Sequence, residues 1–473
     1  MLQKLIGFFT AILAFFTSAS QTVFTPNVLR IDFDRAVGEI RPVHNIGRMP
    51  EYALGSEINR YFTRANMTSC RTHDINCTDI HRIFPDFSKD ADDESAYCFE
   101  ACDRVLAAIA DAGMEPFFRF GVSWSDPVLS RAYLQPPADY EKWAAVCEHI
   151  IRHYNEGWAN GTRYGIRYWE IYNEPDCQPV PAENNFWQGT PEEFYRLYDV
   201  SAKRLKSRFP DLFIGGYGSC GFYALTQTKA ANTGSSAQNE YFITFFEGFL
   251  DYIVKHGTPM DFFSWHSYTT TGKNALYLDH VRKKLDRAGY GGARIVVDEW
   301  NYNPTENGRI DRRYGANQTS MLLMFQNKGV DLAHYYCADL LPTSVHAGMF
   351  VGDGTPSSAY YGFWAFGQLY GLGRQAEIKN LRLPQDLYAV AATGEDGKAL
   401  LIANVSEKRD RPLKIDAGGY VPDRCMTVNE NCEWVEIPLP EKIESGSMLY
   451  ITFRESTAAG DVYRLSPGTA GDM

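Results

Sequence analysis

Residues 167–176 read RYWEIYNEPD. Tyr168, Trp169, Ile171 and Tyr172 favour a buried strand. Pro175 has no amide hydrogen to give a sheet, so the strand stops before it. The last side chains at that stop, Asn173 and Glu174, are an amide and a carboxylate. The same pattern recurs along the chain. Strand-like runs IRPVHNIG, TSCRTHDI and MEPFFRFGVSW end near His44, Asp74 and Trp124. LFIGGYGS, DFFSWHSY, RIVVDEW and VDLAHYYCADL end near Ser219, Tyr268, Trp300 and Asp339. With the opening stretch they make eight.

Helical patterns alternate with these runs. Residues 94–113 and 138–157 carry apolar side chains at helical spacing and each stops at a glycine, Gly113 and Gly157. Residues 190–210 open with Thr190 as N-cap, Pro191 in the first turn and Glu193 as capping-box partner. Residues 239–257 and 315–329 continue the alternation. Eight strand–helix units predict a (β/α)8 TIM barrel. A doubly wound open sheet is the competing architecture, but no glycine-rich phosphate loop follows the first strand.

After about residue 366 the helical pattern ends. LYAVAATGEDGKALLIANVS reads as two strands turning through Gly-Glu-Asp-Gly, and CEWVEIPLP and SMLYITFRES continue the alternation. The sequence therefore predicts an accessory antiparallel β-sandwich domain over 367–457, with strand residues from 21–40 joining it. The barrel spans 41–366, and 458–473 is expected to be a flexible tail. Residues 1–20 have the form of a signal peptide: Lys4, then LIGFFTAILAFFT, then the small residues Ser18 to Ser20. The mature chain is expected to be secreted or extracytoplasmic, with no membrane span.

The ten cysteines fit disulfides in such a compartment. Cys425 with Cys432 and Cys177 with Cys220 are candidate pairs, although spacing does not settle connectivity. Cys98 and Cys102 fall four apart on an expected helix. The absence of a Cys-x2-Cys pair argues against structural zinc. Sequons occur at Asn66, Asn76, Asn160, Asn317 and Asn404. A net charge of -12 argues against nucleic acid and anionic membranes as partners. Aromatic residues make up 14%, which suits sugar faces as well as a large core.

The functional end of a TIM barrel is the C-terminal rim of its strands. The rim residues here are His44, Arg71, His73, Asp74, Trp124, Asn173, Glu174, His266, Tyr268, Glu299 and Trp300. Glu174 and Glu299 end the fourth and seventh strands and face each other across the mouth. Paired carboxylates perform glycoside hydrolysis, one protonated as acid and one ionised as nucleophile.

NEP at strand four with a Glu at strand seven resembles the clan of retaining (β/α)8 glycosidases. RTHDI, WEIYNEPD, FFSWHSY, VVDEWNY and GMFVGDGTPSSAYYGFWAF together are similar to glycoside hydrolase family 39. That family contains β-xylosidases and α-L-iduronidases and carries a β-sandwich beside the barrel. The resemblance implies Glu174 as acid/base, Glu299 as nucleophile, and Asn173 on the sugar 2-hydroxyl. It also implies Tyr268 bonded to Glu299, His266 approaching the site and His73 on a substrate hydroxyl. Trp124 and Trp300 are candidate sugar platforms. Asp298, next to Glu299, is expected to point away from the site. At strand eight, Cys337 and Asp339 stand where family members often have an aromatic platform, which makes Asp339 a candidate substrate ligand.

The sequence thus predicts a retaining exo-glycosidase of β-xylosidase type acting on plant or microbial oligosaccharides, with no cofactor and no metal. An α-L-iduronidase-like enzyme would need a cation for the uronate, with Lys273, Arg312 and Arg313 as candidates. A catalytically silent carbohydrate-binding protein is the reading from another class, and a metal-dependent barrel hydrolase using His73, Asp74 and His266 is a fourth. The sequence leaves oligomeric state open.

Overall fold

The computed structural model describes residues 28–48, 55–124, 131–228, 235–302, 310–338, 348–351, 354–379 and 383–457. Residues 1–20, the tail from 458 and Asp339 lie outside this set.

The first strand, β1 (Val28–Glu39), precedes the barrel. Eight parallel strands then close on themselves: β2 (Asn45–Gly47), β3 (Ser69–Arg71), β4 (Glu115–Phe120), β5 (Tyr168–Ile171), β6 (Phe213–Ser219), β7 (Phe262–Ser267), β8 (Arg294–Trp300) and β9 (Leu332–Tyr335). β9 pairs back to β2, with Asn45 opposite His334. A helix follows each strand in turn: α1 (Gly55–Arg64), α2 (Glu100–Asp111), α3 (Tyr140–Asn155), α4 (Pro191–Arg208), α5 (Ser236–His256), α6 (Thr271–Arg287), α7 (Arg312–Lys328) and α8 (Ser358–Leu372). The chain is therefore a (β/α)8 barrel, as the alternation predicts.

Local signals account for several boundaries. Thr190 and Glu193 form the reciprocal capping box at α4. Asp139 and Ser235 cap α3 and α5 through their side chains. α2 is shorter than its pattern, because Asp93 caps a separate turn at Glu94–Ala96 and the helix starts only at Glu100. Cys98 thus lies outside the helix and is exposed, whereas Cys102 is in the core.

Beyond the barrel lie β10 (Arg374–Lys379), β11 (Leu387–Gly394), β12 (Gly397–Asn404), β13 (Arg411–Pro412), β14 (Lys414–Asp416), β15 (Tyr420–Val428), β16 (Trp434–Glu436), β17 (Lys442–Ile443) and β18 (Ser447–Glu455). One eight-stranded sheet runs β14-β1-β10-β11-β12-β18-β15-β16, antiparallel except where β1 meets β14. Both faces of β12 are buried. Leu401 and Ala403 join the barrel's core, and Leu400 and Ile402 join a second core with Leu29, Ile31 and Phe33. Phe33 on β1 packs its ring 4.9 Å from Phe453 on β18, although three strands separate them in the sheet. The sheet therefore folds over itself, and a sandwich-like core forms from one continuous sheet.

Candidate active site

Strand alternation builds the barrel interior in layers. Phe117, Tyr168, Phe262, Val296 and Leu332 fill the lower layer. Two residues further along, Arg119, Glu170, Ser264 and Asp298 form the next, all fully buried or nearly so. Arg71, at the end of β3, stands at the centre of this polar layer. Its guanidinium donates to Glu170 Oε2 at 2.8 Å, to Asn173 Oδ1 at 2.7 Å and to Glu299 Oε2 at 3.3 Å. It also lies 2.8 Å from Asp298 Oδ2. Ser264 Oγ donates to the other Glu170 oxygen at 2.7 Å. One cation thus holds three carboxylates and the Asn173 amide.

Asn173 and Glu174 both serve the mouth because the backbone after β5 leaves the extended region. Tyr172 has φ +78° and Glu174 φ +46°. Non-glycine residues rarely adopt such values, and each costs on the order of 1 kcal/mol or more. A bond from Glu174 N–H to the Gly218 carbonyl, 2.9 Å, holds the turn. Gly218 has φ +62°, and a Cβ there would stand 3.1 Å from both Arg71 Nη2 and Asp298 Oδ2. A side chain there would be strained by that φ and would crowd both groups.

β8 delivers its carboxylates differently. Its register against β7 slips between Ser264 and His266, and against β9 between Val297 and Trp300. Asp298 follows the inward alternation from Val296, and the irregularity brings Glu299 inward beside it. Asp298 therefore does not point away from the site: its Oδ2 lies 3.4 Å from His266 Nε2 as well as against Arg71. Trp300 turns outward instead. Its ring packs on Phe325 and Phe363 of the helix layer and on Tyr335 of β9, so it is core and not a sugar platform.

His266 links the two strand ends. Its Nδ1 is 2.7 Å from Glu174 Oε1, and its Nε2 is 3.6 Å from Glu299 Oε2. An oxygen of Glu174, an oxygen of Glu299 and a His266 nitrogen all lie within 4.8 Å of one another. The Tyr268 hydroxyl donates to Glu299 Oε1. Asn173 Nδ2 and His73 Nδ1 are buried with no hydrogen-bond partner among the described residues, which leaves both able to meet a ligand.

Burial dominates the electrostatics. It pushes the Glu299 carboxyl up to about 7, against His266, Arg71 and the Tyr268 hydroxyl, all of which favour its charge. Burial opposes the charged form of His266, yet Glu299, Asp298 and Glu174 together raise it well above the usual imidazole value. Burial raises Glu170 to about 8, with the neighbouring Asp298 charge adding to it, while Arg71 and His266 hold Asp298 ionised despite its own burial. His73 is held neutral by burial and by Arg71 and Arg119.

The structure brings Glu174, Glu299, Asn173, His266 and Tyr268 together, with His73 Nε2 at 3.9 Å from Glu299 Oε2. Trp124 is 57% exposed, its ring beside Phe186 and its backbone N–H on Asp74. His44 is barrel-helix core, packed on Phe366 and Tyr370. Three residues without an assigned role in the sequence join the site: Arg71, Glu170 and Tyr336. Alternation from Tyr168 was the available signal for Glu170. Tyr336 follows β9, and its hydroxyl donates to Asp74 Oδ2 at 2.7 Å. An aromatic thus does stand at strand eight, one residue before Cys337.

Among the described residues, none of the ten cysteines forms a disulfide in this structure. The Asn404 side chain is buried and donates to the carbonyls of Arg409, Ile443 and Glu444, so that sequon's amide is already engaged. Among the described residues two groups have metal-like spacing, Glu174–His266–Glu299 and Glu174–Cys177–Cys220. In the first, the Arg71 guanidinium and Tyr268 hydroxyl already occupy Glu299, which disfavours a dication.

A family model, the glycosyl hydrolases family 39, matches residues 35–285, more than half of the 473 residues. The chain is 28% identical over 229 residues to a beta-xylosidase of Geobacillus stearothermophilus, covering 46% of this chain and 39% of that one. It is 24% identical over 237 residues to a beta-xylosidase of Caldicellulosiruptor saccharolyticus, covering 44% and 42%. It thus matches about two fifths of the length of these curated relatives. Among solved structures, a glucosidase from Croceicoccus marinus superposes with a TM-score of 0.71 at 20% identity, over 91% of this chain and all of that one. A monomeric beta-xylosidase from Caulobacter crescentus gives 0.65 at 13%, over 91% and 100%. At these identities the likeness is one of fold.

Proposed function

The chain belongs to the glycosyl hydrolases of family 39, and on that premise we propose that it hydrolyses O-glycosidic bonds by double displacement, as an exo-acting enzyme of β-xylosidase type. The observation that carries the reading is the approach of Glu174 and Glu299 oxygens to within 4.8 Å at the mouth of the barrel. Retaining glycosidases hold their carboxyl groups about 5–5.5 Å apart, whereas inverting ones need roughly 6.5–9.5 Å to admit a water.

In the first step the Glu299 carboxylate attacks the anomeric carbon while Glu174 gives its proton to the departing oxygen. In the second, Glu174 takes a proton from water as that water attacks the glycosyl–Glu299 ester, and Glu299 leaves as carboxylate. The free Asn173 Nδ2 suits the sugar 2-hydroxyl, a contact that tightens in the transition state. The Tyr268 hydroxyl and Arg71 offset the charge of Glu299. Neutral His73 suits a substrate hydroxyl. Exposed Trp124 is placed to stack on a sugar face.

The two curated relatives named beta-xylosidase support xylose as the sugar. For a uronic acid, Arg312 is already tied to Glu430 at 2.9 Å and to Glu444 at 2.8 Å, which removes one candidate cation. The N-terminal run from Lys4 to Ser20 supports secretion. A panel of nitrophenyl glycosides, with the product anomer followed by proton NMR, tests the proposal. The expected result is fastest release from the β-xyloside with the β-anomer appearing first. First appearance of the α-anomer from that substrate would sink the double displacement.

A further inference from the structure

We propose that Cys177 and Cys220 are a redox-active pair whose disulfide clamps the strained turn carrying Glu174 to the neighbouring strand end. The consequence for catalysis rests on the reading of Glu174 as acid/base.

The two thiols and a Glu174 oxygen lie within 4.8 Å of one another. Contacts independent of the sulfurs hold them there. Cys177 N–H donates to the Glu174 carbonyl at 3.1 Å, and Glu174 N–H donates to the Gly218 carbonyl at 2.9 Å. Between the cysteines sits the buried Asp176 carboxylate. It accepts from Ser219 Oγ at 2.7 Å and from Cys220 N–H at 3.1 Å, fastening the end of β6 to the turn after β5. Gln238 Nε2 donates to the Cys177 carbonyl at 2.6 Å and fixes the far side. Pre-positioned thiols pay little chain entropy to join. The turn they would clamp holds two non-glycine residues at positive φ, Tyr172 and Glu174, and such backbone persists only where its surroundings over-determine it.

The two sulfurs differ in access. Cys177 is half-buried and Cys220 is buried, and that burial raises the Cys220 thiol well above its ordinary value. A disulfide reagent such as oxidised glutathione therefore meets Cys177 first. The Cys177 thiolate attacks one sulfur of the reagent, forming a mixed disulfide and releasing one glutathione thiolate. Cys220 then loses its proton to solvent and attacks Cys177 Sγ, expelling the second thiolate. Two protein thiols are oxidised, and the reagent is reduced to two thiols.

The test uses the full chain equilibrated with oxidised glutathione or with dithiothreitol. Free thiols are alkylated and the peptides mapped. Values of kcat/KM, which report the first step alone, are taken on a dinitrophenyl glycoside, whose leaving group needs no acid, and on an alkyl glycoside, whose leaving group does. We expect a peptide linking Cys177 to Cys220 in the oxidised chain. Reduction should bring a several-fold loss on the alkyl substrate and little change on the dinitrophenyl one. Cys177→Ser should behave as the reduced chain and ignore dithiothreitol. Absence of the linked peptide overturns the pair. A linked peptide with unchanged rates in both states overturns the clamp. Glu174→Ala, assayed reduced on the same two substrates, separates these outcomes: equal losses on both would defeat the acid/base reading while leaving the linkage result standing.

Discussion

The ends of β5 and β8 face one problem and solve it in two ways. Each must aim two consecutive residues into the barrel, although a strand alternates its side chains. After β5 the chain leaves the strand, and positive φ values at Tyr172 and Glu174 swing Asn173 and Glu174 into the site. β8 remains a strand through Trp300, and register slips turn Asp298 and Glu299 inward together. The first solution stores strain in the backbone and leaves Glu174 on a turn, partly exposed. The second keeps Glu299 in a rigid strand, buried beside Arg71, Asp298 and His266. A proton donor needs access to its leaving group, and a nucleophile needs a fixed line of attack, so the two devices suit the two proposed roles.

The largest expected effect breaks the β8 half. Glu299→Ala should lower kcat by on the order of 10⁴-fold or more. Azide should restore turnover and give a glycosyl azide of inverted configuration, seen by NMR. Full activity in this variant would remove Glu299 from the chemistry.

Breaking the β5 half should be selective. Glu174→Ala should cost roughly 10²–10⁴-fold in kcat/KM on alkyl glycosides but far less in kcat/KM on dinitrophenyl glycosides. Kinetics on the two substrates read that ratio directly.

Tyr268→Phe sharpens the β8 side without removing the carboxylate. The hydroxyl favours the charged form of Glu299, so its loss should move the Glu299 pKa above about 7. The acidic limb of the kcat/KM profile, which follows ionisation of the nucleophile, should shift to higher pH. The loss of rate on the plateau should be about 1.5–3 kcal/mol in barrier, the usual worth of a hydrogen bond to a charged group. A limb that stays in place or moves down contradicts the assignment.

The smallest effect concerns the residue just past the slip. Trp300→Phe should leave KM for the glycoside unchanged and lower stability by about 1–3 kcal/mol in denaturant melts, because the ring fills core against Phe325 and Phe363. A rise in KM with stability unchanged would return Trp300 to the sugar site.

The sequence by itself determined the barrel, because strand and helix periodicity, caps and breakers act over a few residues. Thr190 with Glu193 and the stop at Pro175 are signals of that local kind. It also placed Glu174, Glu299, His266 and Tyr268 at strand ends, where the fold makes them neighbours. Only the tertiary structure decided which way residues point at those ends. Asp298 and Trp300 exchanged their expected directions because a register slip depends on the flanking strands β7 and β9, and no local pattern in VVDEW records it. Arg71 acquired its role in the same way. Its three carboxylate partners come from two other strands, and the charge balance that sets Glu170, Asp298 and Glu299 exists only once the barrel closes around one guanidinium.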